Sequence, residues 1–202
     1  NELKNGPFKR IVQTITYMPH FLSWVVVAGL ITDLLSIEGP LAYIRYLLGK
    51  EPIVYLVSKQ YFIPMVIISS IWKGVGWGTI IYLATMSNIN PELYESADID
   101  GASRFKKAIY ITLPSLTPVM TILLILNMGS ILNAGFDQIF NLYNPMVYEV
   151  ADIIDTYVYR IGLVGFEFSF STAIGLVKNI IAFGLVFGTN MIVRKISDYT
   201  LW

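Results

Sequence analysis

Ionisable side chains, the groups most able to do chemistry, concentrate in one part of this apolar chain of 202 residues. The segment runs from Asn88 to Leu116 and is called the polar insert. Its charged residues are four acids and three bases: Glu92, Glu95, Asp98, Asp100, Arg104, Lys106 and Lys107. Such a cluster in a hydrophobic protein requires a specific explanation, either as a solvated loop or as a surface for a partner.

Composition excludes several other chemistries. The sequence contains no cysteine and a single histidine, His20, so neither disulfides nor metal sites built from thiolates or a histidine cluster can form. A membrane-embedded enzyme would need paired intramembrane acids, a histidine cluster or a nucleophile beside a base, and none is present. The sequence GxxxxGK followed by Ser or Thr, which binds nucleotide phosphates, does not occur. We therefore predict no catalytic residue, no metal and no cofactor bound by this chain.

The composition is that of an integral membrane protein. Hydrophobic residues make up 55% of the chain, the mean hydropathy is +0.61, and charged residues make up 14%, against about 25% in soluble domains. Crossing a membrane takes roughly 20 helical residues, since every backbone group must pair internally in lipid. Four stretches qualify: Tyr17 to Leu35, Tyr61 to Ser87, Thr117 to Gly135 and Phe170 to Val193. The predicted fold is an all-α, polytopic transmembrane bundle.

Lysine and arginine counts predict the orientation of these spans. The N-terminal segment, the polar insert and the tail together contain eight, whereas the other two connections contain four. Because basic loops stay in the cytoplasm, both termini and the polar insert are expected there. The connection from Phe136 to Ser169 has five acids and one base, and is expected to face outward. The zero net charge gives no indication of a nucleic-acid partner.

Local signals in the polar insert predict two helices joined by a tight turn. Asn90 is a good N-cap and Pro91 suits the first helical position. Gly101 allows a sharp bend. A second short helix, from about Ser103 to Thr112, is expected to end before Pro114 and to lead into the next span.

The insert has two interpretations. A solvated hairpin is the ordinary one for a charged loop between spans. Apolar residues interleaved with the charges instead favour an amphipathic surface that docks on another protein. These apolar residues are Leu93, Tyr94, Ala97, Ile99, Ala102, Phe105, Ala108 and Ile109.

Three clusters of the insert resemble the EAA motif of ABC importer permeases: Glu95-x-Ala97, Asp100-Gly101-Ala102, and Ile111-x-Leu113-Pro114. Ser96 departs from the usual alanine, and it is small enough to leave docking intact. In that family the loop forms coupling helices that sit in a cleft of the cytoplasmic ATPase. The resemblance implies that Glu95 pairs with a basic residue of the ATPase and that Gly101 makes the turn. It also implies that Ala97, Ala102 and Phe105 pack in the cleft, while Leu113 and Pro114 set the exit into the next span.

The similarity extends along nearly the whole chain. The sequences YMPHFLSWVVVAGL, IWKGVGWGTIIYLATMSNINPELYESADIDGA, GFDQIFNLYNPMVY and DIIDTYVYR resemble the oligosaccharide branch related to maltose-type permeases. More narrowly, they resemble permeases for complex or uronic-acid-containing saccharides. The resemblance implies the type I importer fold, with residues 1–202 as a single permease domain of about four spans. Members usually have two further N-terminal spans, and NELKNGPFKR resembles the cytoplasmic loop that follows them.

The function implied by the resemblance is translocation of oligosaccharides across a bacterial cytoplasmic membrane. Expected partners are a cytoplasmic ATPase dimer that binds the ATP, a second homologous permease, an extracytoplasmic solute-binding lipoprotein and lipid. One alternative is an ABC permease for another solute class, such as amino acids or peptides. Another is an ion-driven secondary transporter, although Asp33 is the only acid within a predicted span and lies near its end.

Polar residues inside the spans are candidates for the substrate path. Lys73 lies near the middle of the second stretch, where a charge costs at least about 2.5 kcal/mol, so it should face protein or water. It either contacts the translocation path or fixes helix packing through an ion pair or a carbonyl, unless the true centre of the span lies elsewhere. Trp72 and Trp77 either stack on sugar rings or anchor the span at the interface. Asn127, in the third stretch, is open to sugar or helix contacts. The nearby Gly74, Gly76 and Gly78 indicate close helix approach or a local break.

The sequence GFDQIFNLYNP contains the candidates for contact with a binding protein. Phe136, Asp137, Tyr143 and Asn144 are expected on the outward-facing side, where they would meet that protein or close over substrate. The alternative is a folded-back turn capped by Asn144 and Pro145.

Overall fold

The computed structural model describes residues 6–196, and all regular secondary structure within them is helical. The prediction of an all-α fold is confirmed. In chain order the α-helices are α1 (Pro7–Phe21), α2 (Trp24–Leu35), α3 (Pro40–Leu47), α4 (Lys59–Ser87), α5 (Pro91–Ile99), α6 (Arg104–Lys107), α7 (Leu113–Ser130), α8 (Phe136–Leu142), α9 (Tyr148–Ala151), α10 (Ile154–Val158) and α11 (Phe168–Ile196). Short 3₁₀ segments lie at Tyr55–Val57 and Pro145–Val147, and π-helical segments at Ala108–Thr112 and Tyr159–Val164.

Four helical stretches of the described residues are long and apolar enough to cross a membrane: Trp24–Leu47, Lys59–Ser87, Arg104–Ser130 and Phe168–Lys195. The second and fourth agree with the predicted spans to within a few residues. Lys4, one of the basic residues that predict the orientation of the spans, lies outside the described residues.

The chain divides into two compact units. One contains residues 6–77 with Asn133–Gly175, and the other contains Gly78–Leu132 with residues 176–196.

The predicted start of the first span, Tyr17, is wrong. The chain leaves the helical conformation at Leu22 and Ser23, so the apolar stretch is divided between α1 and α2. Ser23 causes the restart, because its side-chain oxygen accepts a hydrogen bond from the Val26 amide at the N-terminus of α2. The candidate span begins at Trp24 and continues through a turn into α3.

The predicted limits of the third span are also wrong. Helical structure is continuous from Arg104 to Ser130, so the helix that contains the candidate span starts well before Thr117. It stops before Gly135, which has a positive φ of 75° and precedes α8. That left-handed conformation suits glycine and reverses the chain, so the last predicted residues of the span form a turn instead.

The unit formed by residues 6–77 and 133–175 has a definite hydrophobic core. Phe62 of α4 and Val147 are fully buried and pack with Ala28 of α2 and with Ile139 and Leu142 of α8. The short helices after the third span therefore fold onto α2 and α4 through apolar contacts, and each contact removes side-chain surface from solvent or lipid.

Candidate functional site

The first arm of the polar insert is α5, and its start follows from local chemistry. The Asn90 side chain accepts a hydrogen bond from the Glu92 amide at 3.1 Å, and Pro91 occupies the first turn. Asn90 also donates to the Glu92 carboxylate at 3.1 Å. The capping asparagine, the proline and the first-turn acid all favour helix initiation here, which confirms the predicted start.

The turn after α5 is a Schellman motif. The Ala102 amide donates to the Ala97 carbonyl at 2.8 Å, and the Gly101 amide donates to the Asp98 carbonyl at 3.1 Å. Gly101 has a φ of 70°, in the left-handed region that glycine adopts without strain. The predicted turn at Gly101 is confirmed.

The second arm differs from the predicted one. Ser103 caps it by accepting from the Lys106 amide, and α6 then passes through the π-helical segment Ala108–Thr112 into α7 without a break. The prediction that the helix ends before Pro114 is therefore wrong. Proline lacks the amide that an α-helix needs, and the π segment accommodates it, since the Leu113 amide reaches back five residues to the Ala108 carbonyl.

Two side-chain contacts connect the arms. Lys107 Nζ donates to Asp98 Oδ1 at 2.6 Å, and the lysine side chain is mostly buried, whereas the aspartate is exposed. The Tyr94 hydroxyl and Thr112 Oγ1 are hydrogen-bonded at 2.8 Å. We call this pair of contacts the brace. Both link α5 to the segment that leads into the third span, so α5 is tied to that span by more than the turn.

A face of the hairpin remains uncovered. Ile99 is 88% exposed, Phe105 73% and Tyr110 76%. Glu95 lies one turn before Ile99 and is also exposed, with no hydrogen bond or ion pair to any described residue. Apolar side chains beside an unpaired carboxylate form a surface of the kind that binds a basic, partly apolar partner.

The structure separates the remaining EAA-motif residues by exposure. Ala97 and Ala102 are half-buried, and the backbone hydrogen bond between them closes the turn at the end of α5. Asp100, at the C-cap of that helix, is exposed. Leu113 and Pro114 are exposed within the continuous helix and do not end it. The exposed Glu95 and Phe105 are thus available for docking, whereas Ala97 and Ala102 help to shape the hairpin.

Lys73 makes a helix-packing contact. Its Nζ donates to the His20 carbonyl at 2.8 Å and lies 5.4 Å from the centre of the Trp24 ring. The carbonyls of the last turn of α1 lack helical partners because the helix breaks at Leu22, and a cation at a helix C-terminus is favourable. This is the carbonyl contact that the sequence left as one alternative, and contact with substrate stays a prediction.

The two tryptophans of the same span have different surroundings. Trp77 stacks on the His20 ring with centroids 4.4 Å apart and the planes nearly parallel. Trp72 lines an apolar groove of about 660 Å³ between α2 and α4. Among the described residues that line it, hydroxyl groups belong only to Tyr55, Tyr61 and Ser69. Such a groove offers few partners to the hydroxyls of a sugar. Stacking on sugar stays a prediction for both residues.

One of the three glycines predicted to allow close approach does so. A Cβ on Gly76 would collide with the Thr16 backbone of α1, whereas Gly74 and Gly78 have nothing within 4 Å of that position. The helix does not break there.

Asn127 lies on an exposed face of α7, and its backbone carbonyl accepts from Ser130 Oγ at 3.1 Å. Its role in the substrate path stays a prediction.

The segment after the third span uses its amides internally. Gln138 is 3% exposed, and its Nε2 donates to the Val66 carbonyl at 2.7 Å and to Ser69 Oγ at 2.9 Å. Asn144 caps the 3₁₀ segment by accepting from the Met146 amide, and it donates to the Leu56 carbonyl at 2.9 Å. This is the capped, folded-back turn that the sequence left as an alternative. Asp137 is exposed, and its contact with a binding protein stays a prediction.

Contacts between aromatic rings stabilise the same segment. Phe136 stacks on Phe140 at 5.1 Å, and Tyr143 lies 5.0 Å from Tyr148. The guanidinium of Arg160 is 4.7 Å from the Tyr148 ring. Partial burial raises the pKa of Tyr143, and the neighbouring Tyr148 raises it further. These contacts hold Phe136 and Tyr143 within a cluster of aromatic rings.

The first ion pair joins Arg160 Nη2 to Asp152 Oδ2 at 2.5 Å, and Thr156 Oγ1 also donates to Asp152 at 2.7 Å. Burial alone would raise the pKa of Asp152, but the hydrogen bonds from Arg160 and Thr156, together with the arginine charge, bring it below its ordinary value. The second pair joins Lys59 and Glu149 on the surface, and the hydrogen bond from the lysine lowers the pKa of that glutamate. Both pairs connect elements of one unit.

Residues 2–197 match the family described as binding-protein-dependent transport system inner membrane component. The polygalacturonan/rhamnogalacturonan transport system permease protein YteP of Bacillus subtilis (strain 168) is 42% identical over 199 residues, which are 98% of this chain and 62% of that protein. Protein LplB of the same organism is 40% identical over 203 residues, which are 100% of this chain and 64% of that protein. The chain thus spans less than two thirds of the length of these curated relatives.

A solved structure has a closely similar fold. It is the crystal structure of a bacterial alginate ABC transporter in complex with an alginate pentasaccharide-bound periplasmic protein, and it contains a chain that matches with a TM-score of 0.94 at 40% identity. The match covers 99% of the present chain and 70% of that chain. The helical arrangement is therefore shared along nearly the whole length of the sequence.

Proposed function

Because this chain belongs to the family of binding-protein-dependent transport system inner membrane components and has the type I ABC importer permease fold, we propose that it is a permease subunit of an ABC importer. It is a multi-pass protein of the cytoplasmic membrane, with four candidate spans in its described part. The family is one of transport proteins rather than enzymes. We propose that this subunit performs no covalent chemistry and that a separate ATPase binds the ATP.

The observation that carries the proposal is the uncovered face of the hairpin. Ile99 and Phe105 expose large apolar side chains, and Glu95, one helical turn before Ile99, has no partner among the described residues. An exposed apolar patch rimmed by charge marks an interaction site. An ATPase cleft with apolar walls and a basic residue has the chemistry to cover this face, with Glu95 paired to the base.

The proposed substrate is an oligosaccharide. Supporting this, YteP is named for polygalacturonan and rhamnogalacturonan transport, and the similar solved structure is of an alginate transporter. Saccharides that contain uronic acids are therefore the first to test. The remaining proposed partners are a second homologous permease and an extracytoplasmic solute-binding protein, which would present the saccharide on the outer side.

Co-purification tests the docking surface. The whole permease would be co-expressed with its partner permease and ATPase, extracted in detergent and captured through a tag on the permease. We expect Glu95→Lys to reduce the ATPase recovered by about tenfold, as reversal of a central interface charge does. Equal recovery with the variant, or no ATPase with the wild type, would refute the proposed coupling role.

Asp137→Lys is the matched control. It makes the same change of charge sign at another exposed acid, in the segment predicted to face outward. Recovery of the ATPase with Asp137→Lys should equal that with the wild type. A loss in both variants would show that the change in charge, rather than docking at the hairpin, reduces assembly.

A further inference from the structure

The hairpin contains a feature that docking alone does not require, namely the brace between its arms. Tyr94 and Asp98 lie on α5, one turn apart. Their partners Thr112 and Lys107 lie on the second arm, which continues as one helix to Ser130. The brace residues are distinct from the exposed face at Glu95, Ile99 and Phe105.

The turn between the arms is a weak mechanical link by itself. A Cβ placed on Gly101 would meet nothing within 4 Å, so no described side chain packs against the turn at this glycine. Glycine also permits large changes of φ and ψ at little cost. A force on α5 would therefore bend the turn before moving the third span, unless other contacts join the two arms.

The brace supplies these contacts. Lys107 is mostly buried in the joint, so packing holds its side chain in place, whereas its partner Asp98 is exposed to solvent. The Tyr94 hydroxyl reaches the last residue of the π segment, immediately before Leu113 and Pro114. Two attachment points, at Lys107 and at Thr112, fix the direction of α5 relative to the start of the span, because a single point would leave rotation free.

We propose that the Asp98–Lys107 ion pair and the Tyr94–Thr112 hydrogen bond make α5 and the third span one rigid lever, so that these four residues position the coupling helix and transmit the motion of the ATPase. This inference rests on the proposed function and adds to it. The exposed face binds the ATPase, whereas the brace determines whether ATPase movement reaches the membrane. Tyr94, Asp98, Lys107 and Thr112 are positioning residues and do not themselves dock.

A spin label on the third span measures transmission directly. The 202 residues of this sequence contain no cysteine, so Met120→Cys, on an exposed part of α7, provides one labelling site once any cysteine elsewhere in the whole permease is replaced by serine. The labelled whole permease would be assembled with its partner permease and ATPase, both made cysteine-free, in lipid nanodiscs. Its spectrum would be compared without nucleotide and with ATP trapped by vanadate. A second label at Thr117→Cys gives an independent reading nearer the hairpin.

We expect nucleotide trapping to change the spectra of the labelled wild type. Asp98→Lys or Lys107→Asp should reduce this change at least about threefold while the ATPase still co-purifies, since residues that couple two sites change the strength of the coupling when they are replaced. The double variant Asp98→Lys/Lys107→Asp restores opposite charges and should restore most of the change. Tyr94→Phe, which removes only a hydroxyl, should have a smaller effect, and Thr112→Ser, which keeps one, should match the wild type.

Each other outcome overturns the inference in a distinguishable way. If the single variants bind the ATPase and respond to nucleotide like the wild type, the brace does not transmit motion, and the proposed function is unaffected. If they lose the ATPase, these residues act in docking instead. A double variant no better than the singles would exclude the ion pair as the cause. If the wild type binds the ATPase and neither label responds, the hairpin does not drive this span. If the wild type does not bind the ATPase, the proposed function fails as well.

Discussion

The hairpin from Asn90 to Thr112 and the segment from Phe136 to Arg160 contain similar mixtures of aromatic, aliphatic and charged residues, yet they use them in opposite ways. In the hairpin the large apolar side chains of Ile99 and Phe105 remain exposed. In the later segment Ile139, Leu142 and Val147 are buried in a core shared with α2 and α4. One segment leaves large apolar side chains exposed, and the other buries them in order to fold.

The polar side chains show the same contrast. Gln138 and Asn144 both donate to backbone carbonyls of distant residues, and Asp152 accepts from Arg160 and Thr156. In the hairpin, the polar contacts of Tyr94 and Asp98 are internal, but Glu95 has no partner among the described residues. Composition therefore does not distinguish a docking segment from a structural one. The difference lies in how many of the polar and apolar groups the chain itself satisfies.

Among the polar side chains of the later segment, the largest expected effect on stability is at Gln138. Gln138→Ala removes two hydrogen bonds at a buried site and leaves a small cavity, which should lower the free energy of unfolding by about 1–3 kcal/mol. The melting temperature of the purified permease in detergent, followed by fluorescence-detected size exclusion, measures this loss. Asn141→Ala is the control, because the Asn141 amide donates to the Asp137 carbonyl of the same helix at a more exposed position. Equal losses in the two variants would contradict the structural role of Gln138.

A smaller, pH-dependent effect is expected at Asp152. Because Arg160 and Thr156 hold the pKa of Asp152 below its ordinary value of 3.8, the ionised carboxylate stabilises the folded state above that value. The stabilisation is lost as the pH falls through the depressed pKa. Asp152→Asn should therefore be less stable than the wild type by about 1–2 kcal/mol at neutral pH, and the difference should shrink below a pH of about 4. Melting temperatures measured across this pH range test the sign.

Glu149 gives the comparison for that experiment. Its pKa is also lowered, by the hydrogen bond from Lys59, but both side chains are exposed and water screens their interaction. Glu149→Gln should therefore change the pH dependence less than Asp152→Asn. A larger change at Glu149 would show that the exposed ion pair, rather than the partly buried one, stabilises this segment.

The parts of the structure that were predicted from the sequence depend on local interactions. The caps at Asn90 and the turn at Gly101 are fixed by hydrogen bonds within a few residues, so the sequence of the insert was sufficient. The break at Leu22 and Ser23 also has a local cause, a serine N-cap, but the apolar residues directly on either side, Phe21 with Leu22 and Trp24 to Val27, concealed it. The π segment that accommodates Pro114 was missed because proline usually ends a helix, and local sequence does not indicate when it fails to do so.

The parts that were left open depend on contacts between distant residues. Lys73 reaches a carbonyl 53 residues earlier in the chain, and Gln138 reaches one 72 residues earlier. No local pattern identifies such partners, so a sugar contact and a packing contact remained equally compatible with the sequence. The same limit applies to Gly76, whose close approach to Thr16 distinguishes it from Gly74 and Gly78 only once the fold places α1 beside α4.

The smallest expected effect on stability is at the exposed face of the hairpin, and it tests the contrast most sharply. Ile99→Ser and Phe105→Ser alter side chains that contact little of the chain, so each should change the free energy of unfolding by less than about 0.5 kcal/mol. Both should nevertheless reduce ATPase recovery, because the removed surface is the part proposed to dock. Leu142→Ser, at a buried position of the other segment, should instead destabilise the permease by about 2–4 kcal/mol, since it removes packing and buries a hydroxyl. If Ile99→Ser lowered the melting temperature as much as Leu142→Ser, the hairpin face would have to be packed within the permease itself, and a surface already covered there would not be free to bind an ATPase.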